Sequence, residues 1–90
     1  MVQVRIPTPL RKLTNDIDIV NTDAATLAEA VDRLDADYPG LKERIVDEQG
    51  QIRRFVNVYI NGEDVRFLDG MSSALKPNDE ISIVPAVAGG

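Results

Sequence analysis

Phe55-Val56-Asn57-Val58-Tyr59-Ile60-Asn61-Gly62-Glu63-Asp64-Val65 is the stretch that decides the architecture. Five of its first six residues are β-branched or aromatic, and the run is too short for a typical helix, so it reads as a central strand over 55–60. Asn61-Gly62 follows at once, and both positions tolerate the positive φ that a two-residue hairpin turn requires. A short return strand is therefore expected over 65–67. Side chains alternate across a strand, which separates Val56, Val58 and Ile60 from Phe55, Asn57 and Tyr59. The β-branched set is assigned to the core. Phe55 and Tyr59 are left for the open face, or else for the sheet edge or the underside of a neighbouring helical turn.

Upstream, Thr26-Leu27-Ala28-Glu29 reads as a capping box, in which the Thr26 hydroxyl accepts from the Glu29 amide and the Glu29 carboxylate reaches back to the Thr26 amide. Leu27, Ala30, Val31, Leu34 and Tyr38 then recur at helical spacing, which predicts a main helix over 27–37, stopped by Tyr38-Pro39-Gly40. A further helical turn over 41–45 would bury Leu41 and Ile45, and 46–51 reads as an acidic, polar loop. At the start of the chain Val2, Val4 and Ile6 alternate with Gln3 and Arg5 as a half-buried strand ended by Pro7 and Pro9. After a polar connection over 10–15, Ile17 and Ile19 alternate with Asp16 and Asp18 in a second strand that pairs with the first. Downstream, Ser72, Ser73, Pro77 and Asn78 punctuate a connection in which Leu75 is expected to be buried, and a last strand over 81–84 ends at Pro85. The order β-β-α-β-β-β with one main helix gives an α+β fold: a sheet of four to five strands covered on one face by that helix.

Ninety residues make one small domain, expected over 1–85, with an exposed tail over 86–90. The 43% hydrophobic and 28% charged residues exclude a disordered chain. With no Cys and no His there is no disulfide, thiolate metal site, cysteine nucleophile or imidazole base. A formal charge of −5 disfavours nucleic acid as a partner, because that affinity rests on neutralising phosphates. No apolar run approaches the roughly 18 residues of a membrane span. Met1-Val2-Gln3-Val4-Arg5 alternates like a strand rather than a signal peptide, so a cytoplasmic chain, monomeric when free, is expected. Ser72-Ser73 has no base to activate it and is assigned to a turn or cap. Glu63-Asp64 and the acidic positions 29, 32 and 35 are assigned to solvated surfaces, and Arg53-Arg54 to a solvated pair balancing Asp47 and Glu48. No catalytic residue, metal ligand or cofactor-binding motif is assigned.

The remaining candidate is the end, Pro85-Ala86-Val87-Ala88-Gly89-Gly90. Five residues after the last strand reach at most about 17 Å from the sheet. Val87, Ala88 and Gly89 would thread into a partner, and Gly90 would carry the reacting carboxylate. Acyl activation needs such a tail: a carboxylate must gain a good leaving group, as in an acyl-adenylate, inside another protein's ATP site. Glycine at both end positions leaves no Cβ to meet the walls of a channel. A frayed terminus with no chemistry is the competing reading.

The element order, the helix after Thr26, the Asn61-Gly62 hairpin and the Gly89-Gly90 end resemble the ubiquitin-like β-grasp sulfur carriers, a group that includes the thiamin-pathway carrier and the small subunit of molybdopterin synthase. The resemblance spans essentially the whole chain. Arg54 to Arg66, together with the end from Pro85, is most similar to the branch that serves cysteine biosynthesis. The resemblance implies that an ATP-dependent enzyme adenylates Gly90 and that a sulfur donor converts it to a thiocarboxylate. It further implies a pyridoxal-phosphate-dependent cysteine synthase that uses the sulfur, and a zinc metalloprotease that releases cysteine. ATP, pyridoxal phosphate and zinc would all belong to partners. It also agrees with a docking role for the open sheet face, where Phe55 and Tyr59 would stand with Arg5. The alternatives are a protein modifier joined through Gly90 to lysines, the small subunit of molybdopterin synthase, and a plain binding module.

Overall fold

Alternation in the first strand sets the inner face of the sheet. In the computed structural model, which describes residues 1–85, β1 (Val2–Arg5) buries Val2 and Val4 and exposes Gln3 and Arg5. It pairs antiparallel with β2 (Ile19–Thr22) on one side and parallel with β5 (Glu80–Pro85) on the other. β5 pairs antiparallel with β3 (Val56–Ile60), which turns through Asn61-Gly62 into β4 (Glu63–Asp64). The strand order is β2-β1-β5-β3-β4, a mixed five-stranded sheet with the last strand in its middle.

One face of that sheet is covered by α1 (Leu27–Asp37), whose Leu27, Ala30, Val31 and Leu34 meet Val4, Val58, Ile81 and Ile83 in the core. The Thr26 hydroxyl accepts from the Glu29 amide at 3.2 Å, as the capping pattern predicts. The reciprocal half differs. The Glu29 carboxylate lies 3.5 Å from Arg33 one turn on, an ion pair that draws it away from the helix start. Gly40, at φ +98°, lets the chain reverse into α2 (Leu41–Ile45), which buries Leu41 and Ile45 as expected.

Four expectations need correction. The second strand lies at Ile19–Thr22 rather than on the alternating residues 16–19: Ile17 and Ile19 are 40% and 36% exposed, while Val20 and Thr22 are buried opposite Val4 and Val2. Asn15 and Asp16 both take positive φ, and the Thr14 hydroxyl donates to the Ile17 carbonyl at 2.8 Å, so a tight turn uses up residues that alternation had given to the strand. A slip of one residue moves every side chain to the other face. The return strand lies at Glu63–Asp64, and 65–67 is a 3₁₀ turn, because the Asp64 carboxylate accepts from the Arg66 amide at 2.8 Å and Val65 is drawn fully into the core. β3 begins at Val56 rather than Phe55, since the Val56 amide donates back to the Arg53 carbonyl. The stretches 10–15 and 46–51 are not purely polar, for Leu10 and Val46 are both buried.

Candidate functional site

The face of the sheet away from α1 is open. One transverse row crosses it from edge to edge, because the strand registers align Ile19, Arg5, Ser82, Tyr59 and Asp64. Tyr59 and Arg5 therefore stand on the same face, separated by Ser82 of the middle strand. Tyr59 is half-buried and Arg5 exposed, its Nε donating to the Glu80 carboxylate at 2.6 Å. Phe55, just ahead of β3, is 54% exposed, and Val84 of β5 is 44% exposed. The parity expectation for the open face holds for Tyr59. Phe55 precedes β3, so strand parity does not place it, and it is largely exposed.

β5 ends at Pro85, opposite Val56. The parallel pairing of β1 with β5 brings the end of β1 to the same place, so Ile6 and the 3₁₀ segment Thr8–Leu13 flank the exit on one side. Residues 53–56 flank it on the other. A groove of about 320 Å³ runs along the first flank, lined by Arg5, Arg11, Asp18, Ile19, Ser82 and Val84 among others. Gly90, Gly89, Ala88 and Val87, the residues expected to react and to thread, lie outside the described residues.

The exit is ringed by guanidinium groups held by neutral acceptors. Arg11 Nε donates to the Ile6 carbonyl at 3.0 Å, and Arg53 Nε to the Glu43 carbonyl at 2.7 Å. Arg66 donates to Asn57 Oδ1 and the Val56 carbonyl at 2.7 Å each, and to the Arg53 carbonyl at 3.1 Å. In an antiparallel strand the backbone groups point alternately to the two neighbours. Asn61 donates to the Glu80 carbonyl, so odd-numbered residues of this strand serve β5 and Val56 points to the β4 side. β4 is only two residues long, and the Arg66 side chain occupies the edge that a longer β4 would have paired. Arg53 and Arg54 are exposed, and among the described residues neither makes an ion pair, although Arg53 shares a surface cleft with Asp47 and Glu48. The Asp47 carboxylate instead accepts from the amides of Gln49 and Gln51.

On the helical side, Arg33 and Lys42 are matched by Glu29 and Asp32. Lys42 Nζ lies 2.6 Å from Asp32, and its pKa is raised, first by that hydrogen bond and then by the Asp32 charge. Ser73 is buried, its hydroxyl accepting from the Asp69 amide, and Ser72 closes the short turn Gly70–Ser72, so both serve local geometry. Among the described residues, no three Asp or Glu side chains are grouped to hold a metal ion, and no helix is long and apolar enough to cross a membrane. Sequence reasoning missed Arg11, Arg66 and Ile19. Arg66 bonds Arg53, Val56 and Asn57 across the β3–β4 hairpin and Ile19 joins its row through strand register, while Arg11 bonds the nearby Ile6 carbonyl and reaches the end of β5 only through the pairing of β1 with β5.

The sheet order and the open face can now be set beside proteins of known kind. Residues 4–90 match the ThiS family. The chain belongs to the ThiS family. Among ThiS-family relatives, it is 44% identical to the sulfur carrier protein CysO of Mycobacterium tuberculosis over 91 residues, which cover 99% of this chain and 98% of that protein. It superimposes with a TM-score of 0.94 and 43% identity on a chain of the Amycolatopsis orientalis BexX/CysO complex, all of both chains being covered. It is also 44% identical, over 68 residues, to small archaeal modifier protein 3 of Haloferax volcanii, covering 76% of this chain and 73% of the relative. The ubiquitin-like β-grasp fold implied by the sequence resemblance is the fold observed.

Proposed function

We propose that this ThiS-family chain is a sulfur carrier that works as a co-substrate, with Gly90 as its reacting residue. A partner enzyme joins the Gly90 carboxylate to the α-phosphorus of ATP and releases pyrophosphate. A sulfur nucleophile then attacks the acyl carbon and displaces AMP, leaving a thiocarboxylate. The sulfur passes to cysteine biosynthesis through a pyridoxal-phosphate-dependent synthase acting on an activated serine. The cysteine, left amide-linked to Gly90 after an acyl shift, is freed by a zinc metalloprotease. The observation that carries this reading is the 44% identity to the CysO sulfur carrier over nearly the full length of both chains. The family match, which runs through residue 90, supports assigning the chemistry to the end of the chain.

The geometry is compatible with that role. A chain leaving the middle strand beside an open face can enter a partner's channel while the sheet rests on the partner's surface. Arg5, Phe55 and Tyr59 are the docking residues in this reading, and Val87, Ala88 and Gly89 the threading ones. Intact-mass measurement of the protein from its native host tests it. A species ending at Gly90 with one oxygen replaced by sulfur, or carrying one added cysteine, is the expected result. An unmodified carboxylate under sulfur demand, with no enzyme able to adenylate it, would refute it. A second reading, conjugation through Gly90 to lysines of other proteins, draws on the identity to small archaeal modifier protein 3. Covalent ladders on target proteins would favour that reading.

A further inference from the structure

We propose that the strand end from which the tail departs is a preorganised basic collar that docks on an acidic protein surface around the entrance of the activating enzyme's channel. The inference rests on the carrier reading and adds the chemistry of the contact. Its basis is where the charges fall in a chain whose formal net charge is −5. Arg11, Lys12, Arg53, Arg54 and Arg66 lie at the end of the sheet where β5 finishes, on the segments that flank Pro85 or, for Arg66, bonded to them, whereas Arg5, opposite Ser82, has its charge matched by Glu80. Asp16 and Asp18 are the acids on those same segments; Arg53 also shares a surface cleft with Glu43, Asp47 and Glu48, and Arg66 one with Asp69, without forming an ion pair with any of them. The opposite end of the sheet reverses the sign. Asp23, Glu63, Asp79 and Glu80 gather there with Lys76. The molecule is therefore polarised along its strands, with its positive pole where the reacting end emerges.

How the arginines are held matters as much as where they stand. Arg11, Arg53 and Arg66 are fixed by carbonyl and amide oxygens. Neutral acceptors immobilise a guanidinium without cancelling its charge. A carboxylate partner would cancel it, as Glu29 and Asp32 do for Arg33 and Lys42 on the helical side. Ordering these side chains beforehand lowers the entropy lost on binding. The exposed Phe55 and Val84 beside them supply an apolar centre for a charged rim, the usual anatomy of a protein interface. The same polarity steers the chain end-first towards an acidic entrance, an effect that acts mainly on the association rate.

The test compares two double reversals that change the net charge equally. Lys12→Glu/Arg54→Glu alters the collar at exposed side chains that make no side-chain hydrogen bond among the described residues, and Arg33→Glu/Lys76→Glu alters distant positions. Binding to the activating enzyme is followed by calorimetry and adenylation by pyrophosphate release, at about 0.1 M and about 0.5 M salt, across which screening shortens markedly. The collar variant is expected to raise Kd and KM about tenfold or more at low salt while kcat stays within about twofold, and the distant variant to change little. Wild-type affinity should fall with salt, and the collar variant should have lost most of that dependence. Should the collar variant misfold, the charge-removing Arg53→Gln and Arg66→Gln variants, checked for native circular dichroism, give the same comparison. Equal effects of the two reversals, or salt-independent binding, would overturn the proposal. So would tight binding of single-stranded RNA that the collar variant abolishes while its affinity for the enzyme is unchanged. A wild-type chain that binds the enzyme in this charge-dependent way yet is never adenylated would sink the carrier reading and leave the collar standing.

Discussion

Thr26 starts α1 with a single side-chain bond, its hydroxyl accepting from the Glu29 amide, because the Glu29 carboxylate has turned to Arg33. Thr26→Ala removes that bond and should lower stability by about 1 kcal/mol, read as a shift in the urea midpoint with unchanged slope. Asp79 works differently. Its carboxylate accepts from the Lys76 amide at 2.8 Å and from the Asn61 side-chain amide at 2.9 Å. Those bonds, the Lys76 amide foremost, hold its pKa below the ordinary aspartate value. A depressed folded-state pKa means that the stabilisation is complete above the unfolded pKa, about 3.9, and is lost as pH falls through the lower folded value. Asp79→Asn should therefore be less stable than wild type near neutral pH. The gap should close as urea midpoints are followed down through that acid range; a constant gap would mean that the charge of Asp79 is irrelevant.

At the scale of elements, the β3–β4 hairpin was the most legible unit. Asn61 and Gly62 take φ +51° and +86°, the left-handed conformation that the dipeptide announces. No atom would crowd a Cβ at Gly62, so Gly62→Ala should cost about 1 kcal/mol through backbone strain alone, measured by chemical denaturation. Tyr59 was equally legible by alternation, and its half-buried place on the open face makes a separable prediction. Tyr59→Ala should weaken binding to the activating enzyme more than it lowers the thermal midpoint, and a collapse of stability with unchanged binding would assign the ring to folding instead. β2 was legible as a strand but not in phase. Alternation of Ile17 and Ile19 with Asp16 and Asp18 placed the strand over 16–19, whereas it runs over Ile19–Thr22 with Val20 and Thr22 inward. What decided against that placement was the turn at Asn15-Asp16 and the pairing of Val20 with Val4, neither visible in the strand itself.

For the whole molecule, the proposed assignment of the chemistry to Gly90 predicts two independent failures. Removing Gly90 should leave the thermal midpoint within about 1 °C of wild type, because the core lies within residues 2–83, yet abolish adenylation. Ile83→Ala should do the reverse. It excavates the core under α1, with a cost of about 2–5 kcal/mol, while any protein still folded should be adenylated normally. Adenylation near the wild-type rate without Gly90 would refute the assignment of the chemistry to that residue.

Neighbours along the chain suffice for the helix over 27–37 and its cap, the turn at Asn61-Gly62, and the alternation that puts Val56, Val58 and Ile60 inward. The sequence also carried the resemblance to the sulfur carriers, since that rests on residue identities. The phase of β2, the shortness of β4 and the grouping of Arg11, Arg53 and Arg66 around the end of β5 emerge on folding. The reason is physical: local propensity acts over a few residues, whereas register and charge placement are set by pairings such as Arg5 with Ser82 and Val56 with Pro85, which join segments far apart in the chain.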